Sequence, residues 1–109
     1  MKKSFERIQN IMDDNQIKVV SIMKNQVWIS KNSGKFEETQ IQFNDEEVYY
    51  LINFISKDFR NEPNEENPIW RGRIPNGFIT DIVIPPVSFD GPVITMYREE
   101  LFSGNFYSY

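Results

Sequence analysis

The 109-residue chain contains no cysteine and no histidine. Without thiols there is no disulfide framework and no thiolate zinc site, and without imidazole the usual general base and metal ligand are missing. Most hydrolase chemistry loses its usual players. There is no basic surplus either, because 12 lysines and arginines stand against 16 aspartates and glutamates, a formal net charge of −4. A nucleic-acid-binding module would show a basic stripe to neutralise phosphates, so no nucleic-acid partner is expected. No apolar run approaches the ~18 residues that span a bilayer. Met1-Lys2-Lys3 leads into Ser4-Phe5-Glu6-Arg7 instead of an uninterrupted apolar signal segment, and a cytoplasmic location is expected on that ground. The lack of cysteine is neutral on compartment, since reducing and oxidising environments both tolerate it.

What is present fits one domain. A chain of this length buries roughly two-thirds of its unfolded surface, enough to fold without a metal or disulfide staple. Ser4 as a candidate N-cap, with Phe5, Ile8 and Met12 at helical spacing, predicts a short amphipathic helix ending at the turn-forming Asp13-Asp14-Asn15. Those aspartates lack the Asp-x-Asp-x-Asp-Gly loop and distal glutamate of a calcium site, and they read as solvated turn carboxylates. Residues 17–22 and 27–30 are β-branched around Trp28 and predict two strands separated by Lys24-Asn25-Gln26. After a turn at Lys31-Asn32-Ser33-Gly34, residues 36–43 alternate, with Thr39, Ile41 and Phe43 on one face, completing a meander.

A second helix is expected from Asn44. Asn44 as N-cap with Glu47 three residues on has the form of a capping box, Asp45 and Glu46 complement the helix dipole, and Val48, Leu51, Ile52, Ile55 and Phe59 form an apolar stripe that should cover the sheet. Tyr49, Tyr50 and Phe54 are expected in the core or at its margin. Residues 61–67 form an acidic, proline-interrupted loop, whose Glu62, Glu65 and Glu66 read as solvated and not as a glycosidase carboxylate pair, because adjacency in sequence does not place two carboxylates across a substrate.

Residues 68–98 organise the chain. They read as three strands: one through Trp70-Arg71-Gly72-Arg73, a turn at Pro75-Asn76-Gly77, a run from Phe78 to Ile84 apolar enough for a central strand covered on two sides, a stop at Pro85-Pro86, a turn at Asp90-Gly91-Pro92, and a last strand from Val93 to Tyr97. This segment resembles the N-terminal domain of the secretion ATPase superfamily, the type II and type IV secretion motors, and especially the tight-adherence pilus assembly branch. That branch ends its domain in a pattern close to Pro-x-x-x-x-Arg-Leu-Pro-Asp-Gly-Ser-Arg-Val-Asn, two prolines, Asp-Gly-Pro and Thr-Ile-Arg. The corresponding residues are Pro68, Arg73-Ile74-Pro75-Asn76-Gly77, Pro85-Pro86, Asp90-Gly91-Pro92 and Thr95-Met96. The combined spacing is specific where any one piece is weak. The resemblance continues more faintly through Val27-Trp28-Ile29, the Ser33-Gly34-Lys35 turn and the strand ending at Phe43.

Arginine carries the candidate chemistry. Arg71 and Arg73 are two apart on a predicted strand and share a face, and Arg98 lies just beyond the next strand but one, a placement that lets the three converge. Guanidinium forks suit phosphate oxygens. The resemblance implies that arginines of this domain reach the nucleotide held by a separate motor domain, making Arg71, Arg73 and Arg98 possible phosphate contacts only with that domain present. The residues alone favour surface ion pairs of Arg71 and Arg73 with Glu65, Glu66 or Asp81. Two family arginines fall at Ile79 and Tyr97, and Asn64 and Asp81 replace the family's Asp and Asn. The phosphate-binding loop Gly-x-x-x-x-Gly-Lys-Ser/Thr is missing, since Gly34-Lys35 lacks the earlier glycine and the hydroxyl. The chain is therefore expected not to be an enzyme and to hold no cofactor itself, ATP and Mg belonging to the full-length family.

Three functions are compatible with these residues. The first is the non-catalytic N-terminal domain of a type II/IV secretion or pilus-assembly ATPase, contacting neighbouring subunits, the motor domain and secretion or pilus components, with membrane association only through partners. The second is a free-standing adaptor derived from that domain. The third is a small-ligand-sensing module with a pocket lined by Trp28, Phe54 and Trp70. The expected fold is α+β, an antiparallel sheet of five to six strands covered by one main helix plus an N-terminal helix. Residues 1–98 form the domain and 99–109 a tail or the start of a linker, whose Leu101, Phe102, Phe106, Tyr107 and Tyr109 want cover by a partner or by the chain's own sheet.

Overall fold

Period-2 and period-3.6 patterns resolve into six strands and two helices: α1 (Lys2–Met12), β1 (Val19–Met23), β2 (Gln26–Ser30), β3 (Phe36–Gln42), α2 (Asp45–Ser56), β4 (Ile69–Arg73), β5 (Phe78–Val83) and β6 (Val93–Arg98). The computed structural model describes residues 2–31, 34–57, 63–74, 77–85 and 87–98. All the strands pair antiparallel in one sheet of order β3-β2-β1-β6-β5-β4. A meander before α2 and another after it are joined where β1 pairs with β6. This is the expected α+β class, with six strands.

Local chemistry sets each boundary. Lys24 (φ 51°) and Asn25 (φ 67°) are both left-handed and form the two-residue turn between the paired Met23 and Gln26, a turn whose twist suits a hairpin. The capping box of α2 is formed as expected, Glu47 N–H donating to Asn44 Oδ1 at 2.7 Å and Asn44 N–H to Glu47 Oε1 at 2.9 Å. Asn44→Ala should cost about 1 kcal/mol. A thermal melt followed by circular dichroism should then fall by about 4–8 °C, and an unchanged midpoint would show that the cap does not contribute.

Both helices lie on one face of the sheet. Ile8 and Met12 of α1 and Val48, Leu51, Ile52 and Ile55 of α2 pack in one cluster with Val20, Ile22, Phe78, Ile82, Ile94 and Met96 of the strands. At β4, Trp70 folds its ring over Gly72, where an added Cβ would stand 2.5 Å from Trp70 Cη2. Only a residue without a side chain allows that approach. The guanidinium of Arg7 ties the two helices together, donating to Glu47 Oε2 (3.2 Å) and to the Gln42 carbonyl (2.8 Å) and standing 4.6 Å from the Phe43 ring centroid.

Four expectations change. Ser4 is not an N-cap, because α1 begins at Lys2 and Ser4 lies inside it. β5 is an inner strand but is not covered on two sides: Phe78, Thr80 and Ile82 are buried while Ile79, Asp81 and Val83 are half-exposed. Its apolar outer positions, and not a second layer, produced the two-sided pattern. Tyr49 and Tyr50 are 45% and 40% exposed, since the α2 stripe is filled by aliphatic residues; only Phe54 packs at the core margin, its ring 5.2 Å from that of Phe5. Trp28, Phe54 and Trp70 do not line one pocket, for Trp70 is buried on the helix side and Trp28 lies on the other face of the sheet. The expectations on Asn32, Ser33, Phe59, Glu62, Pro75, Asn76 and Pro86 and on residues 99–109 fall outside the described residues.

Candidate functional site

Side chains alternate across a strand, so the sheet face away from the helices is assembled from every second residue, and the register sorts it into three rows. The row beside the exit of β6 runs Phe36, Ser30, Val19, Tyr97, Ile79, Arg73. The middle row is mainly polar: Glu38, Trp28, Ser21, Thr95, Asp81, Arg71. Val93, Val83 and Ile69 line the far end, where Met23 pairs with Gln26. Among the described residues no helix or strand covers this open face.

The three candidate arginines are divided between the two faces. Arg71 and Arg73 share the open face as expected. In the middle row Arg71 donates from Nε to Asp81 Oδ1 (2.6 Å) and from Nη2 to Asp81 Oδ2 (3.2 Å), and the Tyr97 hydroxyl donates to the same Oδ2. The ion pair anticipated for Arg71 is thus made with Asp81. Arg73 is exposed at the end of the edge strand.

Arg98 points the other way. It pairs with Phe78 across β5 and β6, its Cζ lies 4.8 Å from the Phe78 ring centroid, and it donates from Nη2 to the carbonyls of Met12 (2.8 Å) and Asp14 (2.9 Å) and from Nε to that of Ile17 (2.9 Å). These carbonyls sit at and just beyond the C-terminus of α1, where backbone acceptors lack helical partners and the dipole favours a cation. Arg98 therefore serves as a C-terminal cap for α1. Sequence spacing could not show this, because the bonds span 81 to 86 positions.

Positions 79 and 97, where the resembling family carries arginines, are direct cross-strand neighbours, and Arg73 adjoins Ile79 on the other side. A basic cluster would form there if all three were arginine. Here the row reads Arg73, Ile79, Tyr97, Val19 and is largely apolar. Farther along the open face, a cavity of about 400 Å³ is lined by Met23, Lys24, Gln26, Trp28 and Glu38. Gln26, whose amide donates to the Thr39 carbonyl at 2.6 Å and accepts from Gln42 Nε2 at 2.9 Å, holds the irregular β2–β3 register at its floor. No cluster of three or more acidic residues able to hold a metal ion occurs among the described residues.

No protein-family model and no curated protein matches the chain. Among solved structures it is similar to the VirB11 ATPase from the Brucella suis type IV secretion system, crystallised in complex with sulphate, with a TM-score of 0.78 and 19% sequence identity over 89% of this chain and 31% of that one. At this identity the shared property is the fold. The chain spans about a third of that ATPase's length.

Proposed function

We propose that the chain acts as the non-catalytic N-terminal domain of a type II/IV secretion or pilus-assembly ATPase, contacting subunits or partners and coupling to a separate motor domain that holds ATP and Mg. The observation that carries this is the fold shared with a secretion ATPase over 89% of the chain but only 31% of the ATPase. The motif spacing of residues 68–98 supports it independently, and the missing phosphate-binding loop fits a reading in which hydrolysis belongs to a separate domain. Partners are then the motor domain, neighbouring subunits and secretion or pilus components in the cytoplasm. Of the three candidate arginines, Arg73 is the first choice for a phosphate contact, because it is exposed at the end of the edge strand and adjoins positions 79 and 97, where the resembling family carries arginines.

Mixing the chain with a cognate motor domain that lacks its own N-terminal domain should form a complex and raise ATP turnover above that of the motor domain alone. Arg73→Ala should lessen the gain while leaving the complex intact. No complex and no gain would sink the proposal. One observation favours a free-standing adaptor as the second choice: the row that would be basic in a nucleotide-facing domain carries Ile79 and Tyr97. An adaptor would capture secretion or pilus components without nucleotide and leave turnover unchanged.

A further inference from the structure

An antiparallel sheet with one wet face normally alternates apolar inside and polar outside. This one does not. Val19, Ile79, Val83, Val93 and Tyr97 are only half-exposed on the open face, and Phe36 and Ile69 are 49% and 63% exposed at its edges. Two apolar bands on either side of a polar row, on a face that no described helix or strand covers, mark an interaction site.

We propose that the occupant is the chain's own C-terminal segment, residues 99–109, folded back across the open face. β6 lies in the middle of the sheet and ends at Arg98, so the segment starts beside the row of Val19, Tyr97 and Ile79. Glu99 and Glu100 open it, and no charged residue follows them. Two or three residues rise about 10 Å, the spacing of a layer packed on a sheet. Beyond them the segment reads Leu101-Phe102, then Ser103-Gly104-Asn105, then Phe106-Tyr107.

That order matches the rows beneath it. The exit row is apolar at Val19, Tyr97 and Ile79, the middle row holds Ser21, Thr95 and Asp81, and the far end is apolar again at Val93, Val83 and Ile69. The exit row and the far end are four residues apart along a strand, about 13 Å. Phe102 and Phe106 are also four residues apart, so an extended segment places one aromatic group over each apolar row and its polar triplet over the polar row. Phe89, in the β5–β6 connection that follows Val83 and precedes Val93, is 97% exposed.

The cysteine-free chain allows a direct test. Ser103→Cys and Ser108→Cys, each carrying a nitroxide in the otherwise full chain, should broaden methyl signals of the open face (Val19, Ile79, Val83, Val93) to less than half their diamagnetic intensity. Methyls of the helix side (Val20, Ile22, Ile82, Ile94), one sheet thickness farther from the label, should broaden distinctly less. Broadening should vanish when spin-labelled but isotopically silent chain is mixed with unlabelled, isotope-enriched chain. Adding Phe102→Ser with Phe106→Ser should restore the open-face signals. Broadening that persists in the mixed sample would identify a second copy as the occupant, and uniformly sharp signals would show a segment that does not dock; either result overturns the proposal.

Discussion

Replacing Arg98 by alanine is expected to destabilise the fold by about 3 kcal/mol, because three backbone carbonyls lose a charged donor at once. The thermal midpoint should fall by on the order of 10–20 °C. The loss is large because α1 has no basic residue in its own last turn and takes its C-terminal cation from β6. Without Arg98 the carbonyls of Met12, Asp14 and Ile17 lose their charged donor at a partly buried junction, and Asp14 keeps the weaker bond from the Ile17 N–H at 3.0 Å. Arg98→Lys should recover only part of the loss, since an ammonium is a compact point charge and cannot span three acceptors as a planar fork does. Urea unfolding of the three proteins measures the effect. If Arg98→Ala instead melts like the parent, the guanidinium is not a cap, and its role must be sought at a surface outside the chain.

How much of this was legible beforehand differs between the fold and the candidate site. The α2 cap could be read directly, because Asn44 and Glu47 are three apart and their partners are each other. Strands were legible wherever apolar and polar residues alternate, as was the turn marked by Lys24 and Asn25. Strand order was not, because β1 pairs with β6 through residues more than 70 positions apart, and no local pattern encodes that pairing. For the same reason spacing placed Arg71 and Arg73 on a common face but could not place Arg98. Its direction depends on the register Phe78↔Arg98, which sets it on the helix side. The adjacency of Ile79 and Tyr97 is likewise a fact of register. As separate positions they are two missing arginines; side by side they make one apolar row. Tyr49 and Tyr50 were misplaced because hydrophobicity alone ranks them with Leu51 and Ile52, whereas at helical spacing they fall off the stripe that faces the sheet.

Phe78→Ala should have the largest effect of any single change, about 3–5 kcal/mol, by removing a fully buried ring from the helix side of β5. Native domains of this size are stable by only about 5–15 kcal/mol, so the variant stands near the unfolding threshold, and Phe78→Leu provides a milder truncation at the same place. The ring does more than fill volume. It supports the guanidinium of Arg98, whose Cζ is 4.8 Å from its centroid, and so fixes the direction from which that group reaches the α1 carbonyls. Stability of the sheet and capping of the helix are therefore coupled through one side-chain pair. In urea unfolding, Phe78→Leu combined with Arg98→Ala should cost less than the sum of the two single changes by about 0.5–3 kcal/mol, because each already removes part of what the other supports. Strict additivity would mean that the ring and the guanidinium act independently, and that the carbonyl bonds of Arg98 do not depend on the ring beneath it.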